Sequence, residues 1–553
     1  MSTSKSAILF LLVGYLVLGL SHIAILPPWE GFDENAHFSY IQQIADTGSL
    51  PTPGRAKLAK DVDDYSQYAP MPYCYVPLFK NGEGYTYHRF FNGPSALIQK
   101  AYTAIHVPPA KVVRYQPGQK LNWQTQHPPL YYMLLAPVFK LTRGMALFDQ
   151  IFWLRLFSYL LAWVALLITV FGGYRLSQAQ GDSKRLAFKP WLAIGTVCIP
   201  LLFPSWFPEM ARIGNDSLCA LWMALLWLLL IRVYTVGKTY PVALMMGLLL
   251  GLGCLTKAFF VPLSAGLIFS LLLHDAMSGA GSRKKAFLCT VMVVLVLVAV
   301  SGWWYWGNWL AGRSLLGSNE MNQIGASSGL IDLIRHHFTI KSWLRGHAAM
   351  IASLGWSCTW SFIRPPYGVM LPLAVLAVFI ALSYMGALRF HKVHTLEWVP
   401  LWCLLPVVLG LSYHVLLMIA LTGEGRGTSG YYLLFMVPVM GTAVGLGFLT
   451  FWHKALFRIT ATLLGMYAVC FAVVISWAQF MLYSGILSAS ENNKFYRMPD
   501  TFPPYFGIPD AIANLSVLAY PQIGIICWLA GGLLVGVGLM IGARILVSPT
   551  AAD

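Results

Sequence analysis

The stretch Pro27-Pro28-Trp29-Glu30-Gly31-Phe32-Asp33-Glu34-Asn35-Ala36-His37-Phe38-Ser39-Tyr40 follows directly on an apolar run from Ala7 to Leu26. That run has the length, about 20 residues, that crosses a bilayer as a helix. Three carboxylates and a histidine therefore stand at a membrane surface, where an ionised group beside hydrocarbon is costly unless it is used or paired. Pro27 and Pro28 end the helix and Gly31 allows a turn. Trp29 and Phe32 are expected at headgroup level. His37, Tyr40 and Gln43 follow at helical spacing, so Asp33 and Glu34 are expected to open a short surface helix, whose N-terminus favours carboxylates.

The rest of the chain has the same character. Of its 553 residues, 57% are hydrophobic and 10% charged, against about 25% charged in soluble domains. Later apolar runs centre near Trp163, Ile199, Leu225, Leu248, Leu267, Val296, Val375, Val408, Pro438, Val469 and Leu533. The expected fold class is all-α, a polytopic membrane bundle of about 12 transmembrane helices with surface helices in long outer-face loops. Pro128 to Phe139 is too short to span and reads as a surface or re-entrant helix. Met1–Lys5 is short and polar and no cleavage site follows, so the first helix reads as a retained anchor.

The net charge of +16 does not call for nucleic acid. With Lys5 inside, the short loops at Arg175/Lys184/Arg185/Lys189, Arg232/Lys238, Arg283/Lys284/Lys285, Arg389/Lys392 and Lys454/Arg458, and the end at Arg544, all fall on the cytoplasmic face, as the positive-inside rule requires. Both termini are then cytoplasmic and every long, mixed segment is outside. The organisation expected is one integral-membrane domain, 1–553, with a first outer loop at 27–150, a capping loop at 308–365 and a late outer loop at 484–520. Nine cysteines are scattered without a C-x-x-C pair, which argues against a zinc site, and no disulfide is expected between Cys74 and Cys358.

Ionisable residues gather where spans meet the outer face: Asp33, Glu34 and His37 after the first span, His127 before Pro128-Pro129-Leu130-Tyr131, Arg212 and Asp216 in one turn, and Lys257 in another. Singly, each reads as a boundary residue, a helix cap or a snorkelling lysine. Together they place both signs of charge on one face at one depth. The capping loop adds Trp309, Arg313, Glu320, Arg335, His336, His337, Trp343, Arg345 and His347, and reads equally as a mobile cap or as an interfacial amphipathic helix. Asp61-Val62-Asp63-Asp64 lacks the glycine and distal glutamate of a calcium loop, and Trp303-Trp304-Tyr305-Trp306 reads as an interfacial aromatic belt.

On these residues the chain resembles the GT-C superfamily of integral-membrane glycosyltransferases, in particular the bacterial protein-mannosyltransferase and aminoarabinose-transferase branch. The matching elements are Asp33-Glu34 after the first span, His127-Pro128-Pro129-Leu130, Arg155-Leu156-Phe157-Ser158, Arg212…Asp216, and Gly247 to Lys257. Where the branch often has lysine before the proline, this chain has His127. A later Gly-Arg-Tyr element reads Gly430-Tyr431-Tyr432, with Arg426 the nearest arginine.

The resemblance implies transfer of a hexosyl or pentosyl group from a polyprenyl-phosphate donor to a lipid, glycan or protein acceptor, on the periplasmic side of a bacterial inner membrane. In that reading Asp33 is the general base, with Glu34 orienting it, ligating a metal or acting in its place. Lys257, Arg212, His127, Arg345 and Arg426 bind the donor phosphate, and His37, Asp216 and Tyr131 bind substrate. A divalent cation, magnesium or manganese, is compatible with Asp33 and Glu34. The alternatives are a polymerase or ligase using a lipid-diphosphate donor, and a lipid-linked glycan transporter, which would carry its charges near mid-membrane.

Overall fold

The first helix, Thr3–Ile25, and the last, Pro521–Val547, are joined along a seam of small residues. A Cβ at Gly14 would lie 2.8 Å from the Val535 side chain, and one at Gly531 would lie 2.9 Å from Leu18. Lipid tails are as apolar as leucine, so helices in a bilayer associate through close packing and not through hydrophobic exclusion. Glycine at these two positions is what lets the chain's two ends meet.

The structure is a computed structural model and describes residues 3–72, 85–179, 189–203, 205–277, 283–325, 329–356, 359–361, 367–425, 427–451, 454–486 and 507–547. Lys184, Arg185, Arg364, Arg426, Cys74, Cys358 and most of the late loop at 484–520 lie outside the described residues. The chain is a helical, multi-pass membrane protein. Each of the twelve expected span centres falls on a helix, and among the described residues eight helices are long and apolar enough to cross a membrane. Three others are short: Lys189–Leu202, Tyr240–Cys254 and Val437–Phe451. A helix of 15 residues, such as Tyr240–Cys254, reaches only about 22 Å, less than the roughly 30 Å hydrocarbon core. Its shortness leaves the Thr256–Lys257 turn recessed among its neighbours, and both residues are buried.

Beside two small clusters, two large apolar cores result among the described residues. One lies between the long helices and includes Tyr15, Tyr159, Met223, Trp227 and Phe260. The other lies under the first long loop, around Trp29, Phe38, Tyr65, Tyr131 and Tyr132. In that loop, helix Glu34–Thr47 packs against helix Leu130–Thr142. The latter has 13 residues and covers the run expected to be a surface or re-entrant helix. A two-stranded antiparallel sheet, Lys57–Ala59 with Pro117–Leu121, is the only sheet among the described residues. The acidic run Asp61–Asp64 lies in helix Lys60–Asp64, and its Asp63 serves this sheet: Oδ2 accepts from the backbone N–H of Gln119 at 2.8 Å.

Gly531→Leu is expected to force the first and last helices apart and to destabilise the fold by about 1–3 kcal/mol. Gly536→Leu, on the same helix with nothing within 4 Å of its Cβ position, is expected to be near neutral. Thermal unfolding of the two variants in the same detergent checks the difference.

Candidate active site

The acidic loop is held in a conformation that its sequence does not favour. Trp29 and Asp33 both have left-handed backbones, with φ of 65° and 55°. That region is unfavourable for residues with a Cβ and is better tolerated by Asp than by bulky side chains. Gly31 begins the turn that the sequence suggests, its carbonyl accepting from Glu34 N at 3.1 Å. It is also needed for space, since a Cβ there would lie 2.7 Å from Arg212 Cβ. Trp29 and Phe32, however, are not membrane anchors. Both are buried, Trp29 edge-on to Phe38 and Tyr65, and Phe32 stacked on Tyr431 at 4.4 Å.

Four carboxylates of this neighbourhood are committed to holding it. Glu34 opens helix Glu34–Thr47 and is fully buried against Arg155, which comes from the long helix Leu147–Ala179. Arg155 Nε donates to Glu34 Oε1 at 2.7 Å and Nη2 to Oε2 at 2.6 Å. The same guanidinium donates to the carbonyls of Leu26 at 2.5 Å and Pro27 at 2.8 Å. Glu34 Oε1 also accepts from Ile213 N at 3.0 Å. Glu30 clamps the other side: Oε2 accepts from the Tyr87 hydroxyl at 2.5 Å and Oε1 from Ser361 N at 2.8 Å. Its own carbonyl accepts from Thr359 Oγ1 and from Trp360 N at 3.2 Å. Burial raises the Glu30 carboxyl to about 7.

Glu209, on the short helix Trp206–Ala211, pairs with Arg212. Arg212 Nη2 reaches Asp216 Oδ2 at 2.7 Å and Nη1 donates to the Phe32 carbonyl at 3.0 Å. Burial opposes the charge of Arg212, but Glu209 and Asp216 outweigh it and hold the guanidinium protonated. Asp216 opens helix Asp216–Val236, where a carboxylate suits the helix dipole. Its Oδ1 accepts from Lys257 Nζ at 2.6 Å. Lys257 also lies over the rings of Tyr432 and Phe259, at 5.0 and 5.3 Å. The result is an alternating row, Glu209–Arg212–Asp216–Lys257. Hydrogen bonds lace its turns together: Leu130 N to Leu255 O at 3.1 Å, Asn215 Nδ2 to Thr256 O at 3.1 Å, and Gly214 N to the Tyr131 hydroxyl at 2.8 Å.

Asp33 differs from its acidic neighbours. It is partly accessible, and its Oδ1 accepts a single side-chain hydrogen bond, from Trp123 Nε1 at 2.7 Å. Desolvation raises its carboxyl above the usual value, while Trp123, Arg212 and Lys257 pull it back. This ties Asp33 electrostatically to the row of cations, as the sequence pattern anticipates. His127 lies beside His37, rings 6.3 Å apart, and His37 Nδ1 bonds the Tyr132 hydroxyl at 2.9 Å. Burial and the nearby Lys257 push His127 down to about 3, so it is neutral and offers a hydrogen bond, not a cation. Burial and Arg212 likewise keep His37 neutral. Tyr131 is fully buried, its hydroxyl taken by Ser158 at 2.6 Å and Gly214 N, so it braces the site from behind.

From the capping segment, Glu320 comes close to His127 and Tyr432, where its charge affects both. His414, 3.9 Å away, holds the Glu320 carboxyl down at about 2. Arg345 is not drawn into the row: its side chain is exposed on helix Ile340–Ala352. A metal between Asp33 and Glu34 does not fit, because both Glu34 oxygens are occupied by Arg155 and Ile213, and among the described residues no three His, Cys, Asp or Glu side chains cluster.

Sequence reasoning had placed Arg155 only within a motif and had not weighed Trp123 or Glu209. For Arg155 the signal was present, an arginine inside an apolar run, which is costly unless partnered. For Trp123 there was none, since its contact with Asp33 spans 90 residues.

No protein-family model matches the chain, and no curated protein matches it. Among solved structures it is similar to the following. One is ArnT from Cupriavidus metallidurans bound to undecaprenyl phosphate, at 12% identity and TM-score 0.45, covering 98% of this chain and 79% of that one. Another is the archaeal oligosaccharyltransferase AglB from Archaeoglobus fulgidus, in complex with an inhibitory peptide and a dolichol-phosphate, at 14% identity and TM-score 0.34, covering 97% and 56%. Similarity at this level assigns no residue a role, and the roles below stand on the geometry of this chain.

Two measurements probe the supports. Arg155→Ala strands a buried carboxylate and is expected to cost about 3–5 kcal/mol of stability, read as a large drop in the thermal midpoint. Glu30 binds its proton more tightly in the folded chain, so its contribution is present at low pH and is lost as pH rises from about 4.3 through about 7. Glu30→Gln is expected to flatten that part of the stability profile between pH 5 and 8.

Proposed function

We propose that the chain is a glycosyltransferase of the GT-C kind, moving a sugar from a polyprenyl-phosphate donor to an acceptor hydroxyl on the membrane face that carries the site. The observation that carries this reading is the division of labour among the carboxylates. Glu30, Glu34 and Asp216 each have both carboxylate oxygens held by donors or cations, and Glu209 has one oxygen held by Arg212 and the other buried. Asp33 alone of the set is a partly accessible residue, its carboxylate desolvated yet held by one side-chain hydrogen bond, near buried cations.

An acceptor hydroxyl is a weak nucleophile, and a carboxylate within reach removes its proton as the new glycosidic bond forms. The raised proton affinity of Asp33 suits it to that task better than an ordinary solvated aspartate. The bond from the anomeric carbon to the phosphate oxygen breaks as the acceptor oxygen attacks, so a single displacement inverts that carbon. The departing phosphate gathers negative charge, which Lys257, backed by Arg212, stabilises in a site where little water screens it. His127, neutral, donates a hydrogen bond to the phosphate or the sugar, and Tyr432 and Phe259 offer flat faces beside Lys257. The donor lipid, the acceptor and the periplasmic orientation belong to this proposal. The basic short loops support the orientation.

Asp33→Asn keeps an acceptor for Trp123 and is expected to lower transfer by about 10²–10⁴-fold with little change in thermal midpoint. Lys257→Gln is expected to lower it by about 10²–10³-fold. The assay is release of polyprenyl phosphate from a membrane lipid extract by the purified protein. Full transfer by a well-folded Asp33→Asn variant removes Asp33 as the base. The wild-type rate is expected to fall as pH drops through the raised Asp33 value, because only the ionised carboxylate accepts the proton.

A further inference from the structure

The capping segment carries a helix with an apolar stripe on its exposed face. Helix Ile340–Ala352 starts at a capping box made by Thr339 and Ser342. Its inner face packs on helix Val399–Thr422: His347 Nε2 bonds Ser412 Oγ at 2.9 Å, and a Cβ on Gly346 would lie 2.6 Å from Val415. Its outer face exposes Ile340 (64%), Leu344 (55%) and Ile351 (62%). At about 100° per residue these three fall within an arc of roughly 40°, and Ala348, Lys341 and Arg345 continue the same face over about another 100°. No acidic residue lies in the helix.

Depth is the second observation. Helix Val399–Thr422 has 24 residues and is about 36 Å long, little more than the hydrocarbon core of about 30 Å. The helix rests on Ser412 and Val415, ten and seven residues from the Thr422 end. It therefore lies about 10–15 Å inside that end along the axis. A helix merely covering the site from the water side would sit beyond the end. The exposed Trp303, Trp306 and Trp309 at the end of helix Arg283–Leu310 mark an interface on the same side.

We infer that helix Ile340–Ala352 lies in the membrane interface on the side of the site, with Ile340, Leu344 and Ile351 among acyl chains and Lys341 and Arg345 on the phosphates of anionic lipids. An apolar stripe flanked by basic side chains is the pattern of a helix lying in the plane of a bilayer, and long basic side chains reach from such a depth to the headgroups. Arg345 then serves bilayer lipid, not the donor held by Lys257. The inference does not depend on the transfer reaction.

The test is spin-label accessibility in nanodiscs of phosphatidylethanolamine and phosphatidylglycerol that hold one copy each. Labels go on Leu344→Cys and Ile351→Cys in the full chain with its native cysteines replaced. References are Leu533→Cys on the exposed face of the last helix and Gln99→Cys in the first loop. The expected result is high collision with oxygen and low collision with a water-soluble nickel chelate at both positions, matching Leu533. Nickel accessibility matching Gln99 overturns the inference, and so does protection from both reagents, which would mean a protein cover. In the same bilayers, Lys341→Gln with Arg345→Gln is expected to lower the oxygen-to-nickel ratio at Leu344. An unchanged ratio overturns the phosphate contacts of these two side chains.

Discussion

One guanidinium bears most of the order at this site. Arg155 comes from the second long helix and reaches the open carbonyl end of the first, where Leu26 and Pro27 would otherwise leave acceptors unmet. A positive charge at a helix C-terminus is also favoured by its dipole. The remaining donors of Arg155 grip Glu34. A charge so deeply buried is tolerable only because every part of it is matched. Once Glu34 is turned inward, Asp33 must point the other way, and its left-handed backbone completes that reversal.

The contrast between the two neighbouring acids is thus a matter of surroundings and not of type. Glu34 is matched by a cation and backbone and stays a strut. Asp33 is desolvated but lightly bonded, which lifts its proton affinity. The histidines follow the same rule in reverse: burial beside cations keeps His37 and His127 neutral. Strain in the backbone at Trp29 and Asp33 persists because Arg155 from one side and Glu30 from the other over-determine the loop.

Much of this was legible before any coordinates. Hydropathy alone placed the helices, because a bilayer accepts few alternatives, and Asp33-Glu34 does open a helix. The convergence of Asp216, Lys257 and Arg212 also followed, because alternate helix ends share a face. What local pattern could not reveal were contacts set by tertiary packing. Trp29 and Phe32 look like interface residues, yet a second core under the first loop absorbs them. Gly31 reads as a turn residue and is one, but nothing local shows that it is also a clearance for Arg212. Arg345 looks like one more cation for the donor, but helical phase turns it outward. His127 reads as a cation from its residue type, and only its burial shows that it is not.

The row Glu209–Arg212–Asp216–Lys257 sums to zero charge. Glu209 and the lysine stand at its two ends, the lysine held by one aspartate oxygen while the other oxygen stays with the arginine. Drawing the lysine away would leave the other three members with a net negative charge in a buried place, so the lysine keeps its aspartate while it meets any anion. The row is balanced as it stands, and any anion that settles on Lys257 brings a charge with no counterpart in it.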